Sequence, residues 1–401
     1  MNITVLSPTP PYRSGLSHYV VYLYSEFNKS HVINIITNKD SNLIGSKNII
    51  ISKTFTPGIK ALWVSLLRLL MQKADILHIH VEYAFLGNHL NFLFLPLLIL
   101  VLKIAKKGKI IITLHGIPNY HSVLQYLKQI LKIPTIISIP LSLAYSIFSY
   151  LSIYLAFTFS SGVIVHTELM KNVLISFMPQ KVRSKIYVIP HGAYEPPSSV
   201  EKHECNKDFI IILTIGYQRP SKGLETLLKA AKEISYSMNN VKFMIVGKRI
   251  WTWLEGIKKR TNYDKVQIEI IDNFLEDRDL DNIIRMADIL VLPYEDLFYE
   301  VSGALHRVAL FGKPLVCSNI PRFNSCLVNE KDAILFTPGN HIELVDRICR
   351  LINDPSLRKR LSKELVKKFS SKKWKLIARE HEQLFLKLIN DNNVKKQIEV
   401  I

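Results

Sequence analysis

The chain has 401 residues, 48% of them hydrophobic and 21% charged, which is a globular composition with room for two sizeable domains and excludes a disordered or low-complexity protein. With 52 Lys and Arg against 33 Asp and Glu, the net charge of +19 points to an anionic partner, but no helix-turn-helix, zinc-finger or RNP pattern accompanies it, so nucleic acid is not expected. Four cysteines (Cys205, Cys317, Cys326 and Cys349) without CxxC spacing exclude a disulfide framework and suggest a reducing, cytosolic setting.

The opening MNITVLSPTPPYRSG has no charged region followed by a long apolar core, so no secretory signal is expected. Ile3 to Leu6 reads as a buried strand, SPTPPYRSGLS as a loop, and Val20 to Phe27 as the apolar face of a helix. Further strand candidates are Val32–Thr37, Ile76–Ile79, Ile110–Leu114, Gly162–Val165 and Ile186–Ile189, with helical or apolar segments between them. Strands alternating with helices argue for a parallel, doubly wound sheet.

Charge is uneven along this half. Residues 1–200 hold 18 Lys and Arg against 6 Asp and Glu, and no acidic residue lies between Glu82 and Glu168. The same region is the most apolar, with NFLFLPLLILVLKIAKKGK at 91–109 and an uncharged run of 27 residues from Ile133 to Phe159. Basic plus apolar points to an anionic membrane surface. Pro134 and Pro140 suggest that the run is broken rather than one spanning helix.

EPPSSVEKHECNKD, at 195–208, has a linker's composition. After it the alternation restarts: strand 209–215, helix 223–237, strand 241–247, helix near 251–262, strand 266–271, helix 278–287, strand 288–293, helix 302–311 and strand 314–318. Helices near 341–353 and 355–369 follow, then a long one from Trp374. Two tandem α/β domains are expected to face a cleft. Between the first strand and helix of the second domain stands GYQRPSKGLETLLKA, 216–230. Arg219 and Lys222 at a helix start suit a phosphate, or they decorate a solvated turn.

PPYRSG, ADILHIHVEYAFLG, TLHG, GVIVHTELMKNVL, YVIPHGA, GYQRPSKGLETLLKA, VKFMIVG, ADILVLPY, SGALHRVALFGKPLVCS and INDPSLRKRLSK occur in one order along the chain. Together they resemble the retaining nucleotide-sugar glycosyltransferases of family four. The resemblance implies a GT-B fold of two Rossmann-like domains facing a cleft. It divides the chain into an acceptor-binding domain at 1–195, a nucleotide-sugar domain at 205–373 and a helix at 374–401 that packs back toward the first.

The resemblance also implies roles for particular residues. Gly216, Arg219 and Lys222 would hold the donor diphosphate, cations replacing a metal, and Gly15 would bring a second helix start toward the same diphosphate or toward the acceptor. His115 would meet the transferred sugar, through its backbone or its ring. The donor-sugar segment usually carries two glutamates with seven residues between them. Here Arg307 stands at the second position and Tyr299 at the first, leaving Glu300 for the sugar hydroxyls and Ser302, Gly303 and Ala304 at a helix start for sugar or phosphate. Acidic DRDLD at 277–281 reads as helix capping rather than as a metal site.

The expected reaction is metal-independent, retaining transfer of a hexose from a nucleotide diphosphate sugar, with no cofactor, to a hydroxyl of a lipid-linked or membrane-associated glycan at the inner face of the membrane. A nucleotide-sugar epimerase of the same fold and a silent partner subunit are the alternatives.

Overall fold

A computed structural model describes residues 1–12, 14–129, 131–197, 209–217, 220–248, 266–295 and 298–398. Arg219, most of the 195–208 linker and the helix expected near 251–262 therefore lie outside the described residues. The chain divides into two compact units, Met1–Gly192 with Phe298–Val301 and Trp374–Ile401, and Ala193–Leu297 with Ser302–Lys373.

In the first unit the strands are β1 (Asn2–Leu6), β2 (Val32–Asn38), β3 (Ile49–Phe55), β4 (Ile76–Val81), β5 (Lys109–Leu114), the two-residue β6 (Gly116–Ile117), β7 (Gly162–Val165) and β8 (Ile186–Val188). All but β6 form one sheet in the order β3-β2-β1-β4-β5-β7-β8, parallel throughout. Every residue of β4 and β7 is buried. Helices covering both faces of a parallel sheet remove the alternation that a half-exposed strand would show. Strand order reverses direction between β1 and β4, so the loops after these two strands diverge and open a crevice at the carboxyl edge, where doubly wound sheets bind ligands.

Two sequence expectations change here. The run from Ile133 to Phe159 is not broken: Thr135–Phe159 is one helix of 25 residues. Pro134 is its N-cap and Pro140 sits in its second turn, where its missing N–H removes only the bond to the Ile136 carbonyl. Glu300, assigned by sequence to the second domain, belongs to the first unit. Its short strand β13 (Tyr299–Glu300) runs antiparallel to β6, with Tyr299 opposite Ile117 and Glu300 opposite Gly116.

Helix Trp374–Ile398 also belongs to this unit and packs on helix Gly15–Ser25. Ile377, Ala378 and Phe385 are fully buried. Gly192 makes room for Trp374, since a Cβ there would stand 2.1 Å from the indole Cδ2.

In the second unit β9 (Ile210–Ile215), β10 (Val241–Val246), β11 (Ile268–Ile271), β12 (Ile289–Leu292), β14 (Leu315–Ser318) and β15 (Ile334–Phe336) form a parallel sheet ordered β11-β10-β9-β12-β14-β15. Its direction reverses between β9 and β12, so the loops after these strands flank its switch point. Both units are Rossmann-like.

Candidate active site

In the second unit the loop after β9 begins at Gly216 and ends in the turn Pro220–Lys222 and Gly223, which caps helix Leu224–Ser237. Gly223 has φ +64, and a Cβ on it would stand 1.7 Å from the Pro293 carbonyl oxygen. Only glycine lets this turn close against the segment after β12. That contact is fixed by Glu295 N–H donating to the Ser221 carbonyl at 2.9 Å and by the Thr226 hydroxyl donating to Glu295 Oε1 at 2.5 Å. Gly216 approaches the next loop as closely, because a Cβ on Gly247 would lie 2.0 Å from the Gly216 carbonyl oxygen.

Lys222 Nζ sits 3.6 Å from the centre of the Tyr294 ring, a cation–π contact that aims the ammonium at the switch point. The Arg322 guanidinium lies 5.4 Å from the same centre. Tyr294 ends the ADILVLPY motif, but its contact with Lys222 and that of Glu295 with Ser221 and Thr226 follow from the register of β12 beside β9.

Ser302 caps helix Gly303–Val308, its hydroxyl accepting from Leu305 N–H at 3.2 Å. Gly303 has open space where a side chain would stand, and Ala304 follows on the same turn. Arg307, at the usual second glutamate position, is buried and paired with Asp281, with a second contact of 3.3 Å to Asp277 Oδ1. Tyr194 lies under the guanidinium at 4.8 Å. DRDLD is therefore not simply a cap: its last aspartate faces Arg307, and the N-cap, Glu276, makes no side-chain capping bond. Burial raises the Asp281 carboxyl although Arg307 pulls it down.

In the first unit Ser14 caps helix Gly15–Ser25 by accepting from Ser17 N–H at 3.2 Å, and the space beside Gly15 is open. Thr167 caps the helix after β7, its hydroxyl accepting from Met170 N–H at 3.1 Å. His115 follows β5, its N–H donating to the Val81 carbonyl at 2.9 Å.

The His115 ring is one of a chain of buried imidazoles. His166 Nδ1 lies 2.9 Å from the Ile189 carbonyl, which only accepts, so that nitrogen carries the proton and His166 Nε2 accepts from His115 Nδ1 at 3.1 Å. His115 Nε2 then accepts from His80 Nδ1 at 3.1 Å. His80 Nε2 ends the chain as a buried atom with no hydrogen-bond partner among the described residues. Both ring nitrogens of His115 are thus engaged by protein. Burial first, and neighbouring imidazoles second, hold His78, His80 and His115 well below the ordinary imidazole range; burial pushes His166 down to about 4.

Glu82, the residue after β4, was not singled out by the sequence. It stands at the first sheet's switch point, half-buried, with the Glu300 carboxylate near enough to reinforce the effect of burial and push its carboxyl up to about 8. Its charge also acts on Tyr12, in the loop after β1. Glu300 in turn overlies Gly116, whose missing Cβ would stand 3.3 Å from Glu300 Oε2.

Residues 197–368, the greater part of the second unit, match the family model described as glycosyl transferases group 1. Over this stretch the chain is similar to group 1 glycosyltransferases. Over 288 residues the chain is 26% identical to an uncharacterized glycosyltransferase of Methanocaldococcus jannaschii, covering 67% of the chain and 76% of that protein. It is 27% identical over 154 residues to the alpha-D-kanosaminyltransferase of Streptomyces kanamyceticus, 38% of the chain and 39% of the relative.

Among solved structures, sucrose-phosphate synthase from Thermosynechococcus elongatus superposes with TM-score 0.74 at 15% identity, covering 98% of this chain and all of that one. Anabaena HepE in complex with UDP and glucose does so with TM-score 0.69 at 13% identity, covering 96% and 100%. The likeness establishes the GT-B fold for nearly the whole chain.

Proposed function

We propose that the protein is a glycosyltransferase that moves a hexose from a nucleotide diphosphate sugar to an acceptor hydroxyl with retention of configuration and without a metal. The observation that carries this reading is the Pro220–Gly223 turn at the second sheet's switch point, with Lys222 held over Tyr294. Backbone N–H groups at the start of helix Leu224–Ser237 and a fixed cation suit a diphosphate, whose negative charge grows as the glycosidic bond breaks. Arg219 is assigned the same task by family resemblance. Anabaena HepE, solved with UDP and glucose, supports a nucleotide-sugar donor.

In the proposed front-face reaction the acceptor oxygen bonds to the anomeric carbon as the carbon–oxygen bond to the departing phosphate breaks. The proton of the acceptor hydroxyl passes to that phosphate. Glu300 serves the sugar hydroxyls, and His115 offers its backbone carbonyl, since its ring nitrogens and its N–H are engaged. The acceptor is read as a lipid-linked or membrane-resident glycan at the cytoplasmic face, in keeping with the basic, apolar surface of the first unit.

A screen of nucleotide sugars for nucleoside diphosphate release, with and without chelator, tests the donor half. Slow, chelator-resistant release of one nucleoside diphosphate is expected. Release that needs added magnesium or manganese would sink metal independence, and sugar isomerisation without release would favour an epimerase.

A further inference from the structure

Helix Thr135–Phe159 is built inside out. Ser138, Ser142, Ser146, Ser149 and Ser152 are buried, whereas Ile136, Ile137, Leu143, Ile147 and Phe148 are each more than half exposed. A helix between a protein core and water carries the opposite pattern. Four of these serines are satisfied within the protein: Ser138, Ser142 and Ser146 donate to the Thr135, Ile139 and Ser142 carbonyls, and Ser152 donates to the Phe92 carbonyl at 2.7 Å. Being small, they admit helices Leu95–Ile104 and Tyr120–Gln129 close against this one.

The apolar exposure continues across neighbouring helices. Leu97 and Ile104 project from Leu95–Ile104, which packs on Ala61–Leu70, where Trp63 and Leu67 are exposed. Phe94 joins them, its ring 6.2 Å from that of Trp63. Lys103, Lys106, Lys107, Lys128 and Lys132 stand in the flanking segments, and no acidic residue occurs between Glu82 and Glu168.

We propose that these three helices form one membrane-contact face, lying in the interfacial layer of an anionic bilayer with helix Thr135–Phe159 in the membrane plane. The helix leaves after β5 and returns to β7, and those strands pair in parallel, Ile111 beside Gly162. A crossing would put neighbouring strands of one sheet on opposite sides of the bilayer, although ~38 Å of helix, at 1.5 Å per residue, is long enough to span. A second copy of the chain is a poorer occupant, because two lysine-flanked, acid-free faces would repel. Anionic lipid supplies the missing charge. The inference rests on the membrane-resident acceptor proposed above and adds the surface that reaches it.

The test is flotation of the full chain with vesicles of phosphatidylcholine alone or mixed with phosphatidylglycerol. Binding should require the anionic lipid and fall with salt. It should drop at least about tenfold in the triple variant Ile136→Asn, Ile137→Asn, Phe148→Asn, whose outward positions leave the fold intact. Changing Lys103, Lys106, Lys107 and Lys132 together to Gln should lower it by about a hundredfold or more. Brominated acyl chains should quench fluorescence that is lost in Trp63→Phe. Thermal melting and vesicle-free donor hydrolysis, which report the fold and the transferase separately, should not change in the triple variant. A wild type that never floats, or a triple variant that floats as well, overturns the surface, as does a dimer that the triple variant dissolves. A protein that floats as expected yet glycosylates only soluble acceptors removes the acceptor reading and leaves the surface standing.

Discussion

Lys222 is oriented by an aromatic ring, and that makes its contribution separable from its charge. Lys222→Met is expected to lower turnover by ~10²–10³ with little change in donor affinity, as for loss of one donor to charge that develops in the transition state. Tyr294→Phe keeps the ring and should be nearly silent, whereas Tyr294→Leu should cost about tenfold, since an ammonium over a ring is worth ~0.5–2 kcal/mol. Steady-state kinetics on the three variants checks the ordering. Glu82 makes a different claim, about pH. Below about 4.5 its carboxyl is neutral in folded and unfolded chains alike. Above that, the unfolded chain releases the proton while the folded one holds it to about 8, so stability drains away as pH rises across this window. Glu82→Gln removes the loss, and its melting temperature should overtake that of the wild type progressively from pH 5 to pH 8. The buried imidazoles act in the reverse sense. Unfolding lets them take up protons that the folded state refuses, so stability falls as pH drops below about 6.5, by ~1.4 kcal/mol per pH unit for each such ring. Urea midpoints between pH 7 and pH 5 measure it. Of these residues Lys222 was legible in sequence, because a cation before a helix start carries its meaning locally. The Lys222–Tyr294 contact, Glu82 and the linking of the imidazoles were not, since strand order makes them neighbours.

Elements show where sequence patterning succeeds and where it stops. Parallel strands buried on both faces read as apolar runs, and β1, β2, β4, β5, β7 and β8 were all found that way. Edge strand β3 was missed: its IIISKTF mixes exposed Ile50 and Lys53 with buried Phe55 because water reaches one side of it. The three-residue β15 and two-residue β6 and β13 are too short to carry a period, yet the pairing of β6 with β13 is what delivers Glu300 to the first unit. Thr135–Phe159 was visible as an apolar run, but its inversion was not, because its serines and its Ile, Leu and Phe residues declare their sides only when neighbours are in place. At the Gly223 turn an added methyl has nowhere to go. Gly223→Ala should destabilise the second unit by ~1–3 kcal/mol, from a strained positive φ and the clash with the Pro293 carbonyl, and should weaken nucleotide binding with it. Urea denaturation and nucleotide titration on the same preparation test both effects.

At the scale of the whole molecule, the first unit is assembled from three separate stretches of chain. Ending the protein at residue 373 removes helix Trp374–Ile398 and uncovers the Gly15–Ser25 helix, Gly192 and the histidine cluster that includes His381, buried beside Tyr19. Such a truncation should abolish cooperative melting of the first unit while the second keeps its own transition, which calorimetry resolves as the loss of one of two peaks. The same segmentation dictates an order of events on the ribosome. Nearly all of the second unit's sequence lies between residues 193 and 373, so it has what it needs to fold once that stretch emerges, whereas the half of the protein made first must wait for the last helix to be synthesised. During that wait its outward apolar helices are already exposed, and a nearby bilayer would reach them before the unit that bears them is complete.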